Sequence, residues 1–175
     1  MTDQPGSNEI LPIVPNLPPQ LLAEIRALFP VLVQWAERME AKALKEGAPL
    51  SAQVKDTARV LGIAEPDAVR VLAVHTIEPE NKRIVELAGR FGLSFAGSDG
   101  MTFGHAIFAR HYRVGDQRLL IHELVHVRQY EKAQTIGAYL NVYVEQILAF
   151  GYQNMPLEVE AVTETNLILG RTRTY

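Results

Sequence analysis

Residues 119–131 read LLIHELVHVRQYE, and within them His122, Glu123 and His126 stand in the spacing H-E-x-x-H. On an α-helix, residues four apart lie one above the other on the same face. Two imidazoles can then reach one metal ion from a single rigid element. Glu123, one residue after the first imidazole, can reach water beside that metal and act as a general base. The spacing arises by chance in about one chain in a hundred of this composition, so the rest of the sequence has to supply what a metal site needs. The first need is a helix. Asp116 stands where an N-cap belongs, and Leu120, Leu124 and Val127 recur on one side. A helix over about 117–132 follows, with that side in the core and His122 and His126 facing a cleft.

The chain has 175 residues, enough for one domain with a sizeable core. A net charge of −3 gives no electrostatic reason to expect nucleic acid or an anionic membrane. No run of about eighteen apolar residues exists, which argues against a membrane span. The first residues lack the basic and apolar blocks of a signal peptide, so the expected location is cytoplasmic. There are no cysteines. Disulfides and thiolate metal sites are therefore excluded, and any zinc has to be held by histidine and carboxylate.

Taken in order, residues 1–17 hold prolines among small and polar residues and read as an extended, disordered arm. Residues 18–65 form a helical segment in which Pro30 is expected to kink or break the first helix. Ser51 reads as the N-cap of a helix over 52–61, ended by Gly62. Residues 69–77, VRVLAVHTI, read as a buried strand, and Pro79 as the start of a helix reaching Phe91. Residues 93–97 suggest a short strand. MTFGHAIFARHYR, 101–113, reads as one further strand with a bulge at Gly104. After the motif helix come a core helix over about 136–150, closed by Gly151, and a last helix from Pro156 to Gly170.

A catalytic zinc takes three protein ligands and keeps one position open. The longer pattern H-E-x-x-H-x-x-G-x-x-H is absent, because Gln129 and Lys132 occupy its glycine and last histidine positions. About thirty residues on, PLEVEA opens a helix with two carboxylates, Glu158 and Glu160. They point to different sides of that helix. Ala161, three residues after Glu158, would let two helices approach closely, which favours Glu158 as third ligand and leaves Glu160 as the alternative. Whichever is not the ligand is an ordinary N-terminal acid facing the helix dipole.

HELVHVRQY followed by GYQNMPLEVEA resembles the gluzincin-type zinc metallopeptidases, in which H-E-x-x-H is completed by a glutamate on a following helix. It is most similar to the small minigluzincin-like proteins and to bacterial domains with H-E-L-x-H-x-x-Q and a later P-x-E-x-E-A. The resemblance covers about residues 69–168 and leaves 1–65 uncovered. It implies Zn²⁺ held by His122, His126 and Glu158, with Glu123 as general base. It also implies a small zincin-like α+β fold. A short mixed or antiparallel sheet would pack on the two ligand-bearing helices in a domain over 66–175, with 18–65 as an N-terminal extension. In longer relatives an acid four positions after the third ligand orients a histidine; here that position is Val162, so Glu160, Glu164 or Asn166 would have to serve. The strand over 101–113 would be the sheet edge that pairs with a peptide, the alternative being an inner strand.

The expected activity is zinc-dependent hydrolysis of a peptide or protein substrate. Tyr143, Tyr152, His105 and Arg128 are the candidates for stabilising the oxyanion. The alternative is a zinc-binding module without peptidase activity, whether structural, partner-binding or latent.

Overall fold

The computed structural model describes residues 17–172, so the expected arm over 1–17 falls almost wholly outside the described residues. The fold is α+β: six α-helices and a mixed four-stranded sheet among the described residues. The chain opens with α1 (Pro19–Glu46), which runs unbroken through Pro30. A proline inside a helix costs about 3 kcal/mol. Leu28 and Phe29 before it and Trp35 and Ala36 after it are all buried in one core. Each large side chain among them contributes about 1.5–3 kcal/mol on burial, so the helix continues and leaves Pro30 exposed.

A two-residue strand β1 (Ala48–Pro49) leads into α2 (Ala52–Val60), where Ser51 accepts a hydrogen bond from Val54 N–H as its cap. The run 69–77, expected as a buried strand, yields β2 (Arg70–Val74), which is only half-buried along its length, followed by α3 (Lys82–Arg90). That helix starts three residues later than Pro79 suggests, because the side chain of Asn81 accepts from Arg83 N–H and caps it there. The segment expected as a short strand at 93–97 is a 3-10 turn over Phe95–Gly97, capped by Ser94.

The expected long strand over 101–113 is a hairpin: β3 (Gly100–Phe103) and β4 (Ala106–Arg110), then a 3-10 turn over His111–Arg113. Gly104 makes the turn and not a bulge. Its φ of +57° suits glycine, and a Cβ there would collide with the Glu40 carboxylate. Glu40, from α1, accepts from His105 N–H at 3.0 Å and closes the turn.

The strand order is β1-β2-β4-β3, with β2 and β4 parallel and the other pairs antiparallel. The hairpin thus divides the expected edge strand: β4 is internal and β3 forms the edge. Alternation along the hairpin sends Phe103, Ala106 and Phe108 to a core shared with α1, and Ile107 to a second core. That second core is completed by α2, by α4 (Gln117–Ala133) and by α6 (Pro156–Thr172). Between α4 and α6 runs α5 (Ile136–Phe150), capped by Thr135 and ended by Gly151. No helix among the described residues is long and apolar enough to cross a membrane.

Candidate metal centre

Asp116 caps α4, accepting from Leu119 N–H at 3.0 Å, and Leu124, Val125 and Val127 lock the helix into the core. This fixes His122 and His126 one turn apart with both Nε2 atoms aimed the same way, 3.1 Å from each other. Ala161 is fully buried between α4 and α6, where its small side chain lets Glu158 approach. Glu158 Oε2 lies 3.2 Å from His122 Nε2, and Oε1 lies 3.5 Å from His126 Nε2. His126 and Glu158 are both buried, and Glu123 beside them is only 4% exposed.

These distances test whether a metal fits. Four donors at about 2.0–2.1 Å from a tetrahedral Zn²⁺ stand about 3.3–3.4 Å apart. The His122–His126 edge of 3.1 Å is close to that value. Glu158 sets one carboxylate oxygen 3.2 Å from His122 Nε2 and the other 3.5 Å from His126 Nε2, and one ligand atom from each residue lies within 4.8 Å of the others.

The protonation pattern gives the same result. The Gln129 side-chain amide donates through Nε2 to Leu157 C=O at 3.0 Å and to Glu160 Oε2 at 2.7 Å. Its Oε1 must therefore be the acceptor that faces His126 Nδ1 at 2.8 Å. Nδ1 of His126 is therefore a donor, and Nε2 is the atom turned toward Glu158, where it can hold a proton or a metal. Two imidazole nitrogens and a carboxylate converging on one point suit a cation among them, either a proton or a metal. Burial works against charge on His126, yet the Glu158 carboxylate lifts its pKa to about 9. Burial likewise works against charge on Glu158, and its hydrogen bonds to the two histidines hold it down at about 2.

The start of α6 is held from two sides. Leu157 N–H donates to Gln146 Oε1 on α5 at 2.9 Å, while Leu157 C=O accepts from Gln129 on α4. Glu158 is the next residue, so its position is set by two glutamines that sequence reading did not single out for this role. The orienting partner expected at Glu160, Glu164 or Asn166 is Gln129, one turn past His126. Tyr139 adds a hydroxyl 3.3 Å from His126 Nδ1.

Glu123 reaches the same space from α4. Thr102, on the edge strand β3, donates to its Oε2 at 2.7 Å, and Oε1 faces Gly100. A Cβ at Gly100 would come within 2.8 Å of Oε1, so glycine leaves the room the carboxylate occupies. Burial raises the Glu123 pKa, against the lowering influence of the two histidines and Thr102. A carboxylate raised in this way is a better base near neutral pH.

Of the remaining candidates, Tyr143 and Tyr152 line the cavity that reaches His122, Glu123 and Glu158. Burial, then the nearby Glu158, keeps both hydroxyls protonated and able to donate. His105 is elsewhere: its Nε2 pairs with Glu131 at 3.0 Å, in a depression shared with Glu40 and Gln134. Arg128 donates to Leu61 C=O and to Glu160, tying α2 and α6 to α4. Glu160 faces Arg128 and Gln129, not the two histidines. Among the described residues, His122, His126 and Glu158 form the one group of this kind whose ligand atoms lie within 4.8 Å of one another. Comparison with protein-family models, curated proteins and solved structures finds no match.

Proposed function

We propose that the protein is a zinc metallopeptidase of gluzincin type on a small zincin-like fold. The observation that carries this reading is the triangle of His122, His126 and Glu158 donors with a second, separately held carboxylate, Glu123, beside it. A structural zinc takes four protein ligands; three ligands and a nearby base suit a site with a position left for water and substrate.

When bound, zinc supplies Lewis acidity, which polarises an amide carbonyl and activates water near neutral pH. The chain's own residues do the rest. Glu123 takes the proton from the attacking water and delivers it to the leaving amine. Thr102 holds that carboxylate in one orientation, in the room that Gly100 leaves. Tyr152, which lines the spaces on both sides of the site, donates a hydrogen bond from its hydroxyl to the oxyanion that develops on the carbonyl oxygen. β3, the last strand of the sheet, offers an unpaired edge with which an extended peptide can pair.

Burial of Glu123, His126 and Glu158 favours a second reading, a zinc-binding module without turnover. One experiment separates the two. Purified protein is loaded with zinc, assayed for metal content, and incubated with a peptide library beside Glu123→Gln. The peptidase reading expects cleavage by the wild type only, with equal zinc in both. Absence of cleavage at full zinc occupancy would leave the binding module.

A further inference from the structure

A cavity of about 140 Å³ runs from the metal site into the core. Phe29, Leu32 and Trp35 of α1 wall it on one side, Ala88 of α3 and Val144 of α5 on others, with Met101 of β3 completing it. Besides tyrosines, the acids and bases that line it are His122, Glu123, His126 and Glu158, all at the metal site. A void of this kind weakens a fold in proportion to its volume. A cavity of about 150 Å³ lined by aliphatic and aromatic side chains stays dry and takes up benzene. The space here is of that size and character, and it ends where Glu123 acts.

We infer that this cavity is the specificity pocket of the site, and that it takes one large apolar side chain, benzyl or isobutyl in size, beside the scissile amide. The inference rests on the peptidase reading for the word scissile, and on the cavity alone for the apolar group. It gives α1 a role in selecting the substrate, although α1 lies outside the stretch that resembles known peptidases. A charged or small side chain would leave the walls unmatched: the first loses its hydration and finds no partner, the second leaves the void unfilled.

Trp35 is the only tryptophan in the chain and lines the cavity, so its fluorescence reports occupancy without any need for turnover. The test titrates zinc-loaded Glu123→Gln with acetyl-Ala-X-Ala-amide peptides in which X is Phe, Leu, Ala or Glu. The Phe and Leu peptides are expected to shift Trp35 emission and to bind at least about tenfold tighter than Ala or Glu. Ala88→Phe, which fills the cavity, is expected to remove the difference. Should that variant fail to fold, Leu32→Ala enlarges the space and is expected to favour a naphthylalanine peptide that the parent rejects. Equal binding of all four peptides, or an unmoved Trp35, overturns the inference. Cleavage by the wild type with no apolar preference also overturns it while leaving the peptidase standing. Selective binding of the Phe peptide that zinc-loaded wild type never cleaves does the reverse: the pocket stands and the peptidase reading falls.

Discussion

Gln129 donates to Leu157 C=O at 3.0 Å while its carbonyl oxygen accepts from His126 Nδ1 at 2.8 Å. One amide therefore orients a histidine on α4 and the backbone just before Glu158 on α6. Gln129→Ala releases both, and removing such a partner typically costs about 10–100-fold in metal affinity. We expect a loss in that range in a competitive zinc titration, with the helical circular dichroism unchanged. Gln129→Glu keeps the acceptor for His126 but cannot donate to Leu157 and faces the Glu160 carboxylate. It should recover little of the loss, and full recovery would show that only the histidine contact matters.

The bond from Thr102 to Glu123 makes a different prediction, because it touches the base and none of the metal ligands. Thr102→Val keeps the shape and deletes the donor, leaving a buried carboxylate with one partner fewer. Zinc content should stay at the wild-type level, and kcat should fall by about tenfold or more with KM little changed. Thr102→Ser restores the hydroxyl and should restore most of the rate. Gly100→Ala should resemble Thr102→Val, since its Cβ presses on Glu123 Oε1 from the other side.

What could be read from sequence divides by range. The caps at Ser51, Asp116 and Gly151 act within four residues, and the helices they bound stand where local pattern puts them. The hairpin was not legible in MTFGHAIFARHYR, because the doubly buried β4 shows no alternation and a lone Gly104 marks a bulge as readily as a turn. Its turn is closed by Glu40, which is 65 residues away in sequence. Pro30 misleads for a similar reason: local cost is outweighed by burial that only the tertiary fold supplies. At the site, spacing brought out His122, Glu123 and His126, and the acidic helix start brought out Glu158. Gln129 had a signal, its position one turn past His126. Thr102 and Gly100 had none, since only the packing of β3 against α4 brings them to Glu123. His105 failed as a site candidate because the turn at Gly104 carries it to the far end of α4.

Glu158 and Glu160 are separated by their partners. Glu158 faces two imidazoles, while Glu160 faces Arg128 and Gln129. Glu158→Ala should abolish stoichiometric zinc binding. Glu160→Ala should keep the zinc and lower thermal stability slightly, because its side chain is more than a third exposed and the Arg128 pair is correspondingly screened. Metal analysis and a melting curve on the two variants decide the assignment, and zinc loss in Glu160→Ala alone would move the ligand.

In the metal-free protein the same convergence of groups sets how stability depends on pH. His126 has its folded pKa raised from 6.5 to about 9, so its contribution is complete below 6.5 and is lost as pH rises through about 9. Glu158 has its folded pKa lowered from 4.5 to about 2, so its contribution is complete above 4.5 and is lost as pH falls through about 2. The pair is therefore worth most between pH 4.5 and 6.5. Comparing metal-free wild type with metal-free Glu158→Gln isolates it. The difference in Tm should be largest in that window and shrink toward both pH 9 and pH 2. Zinc displaces the proton from His126, so in the wild type the apparent affinity for zinc should fall as pH drops below about 9. A Tm difference that stays flat with pH would mean that no proton is shared between His126 and Glu158, and the case for a cation at their meeting point would lose its second support.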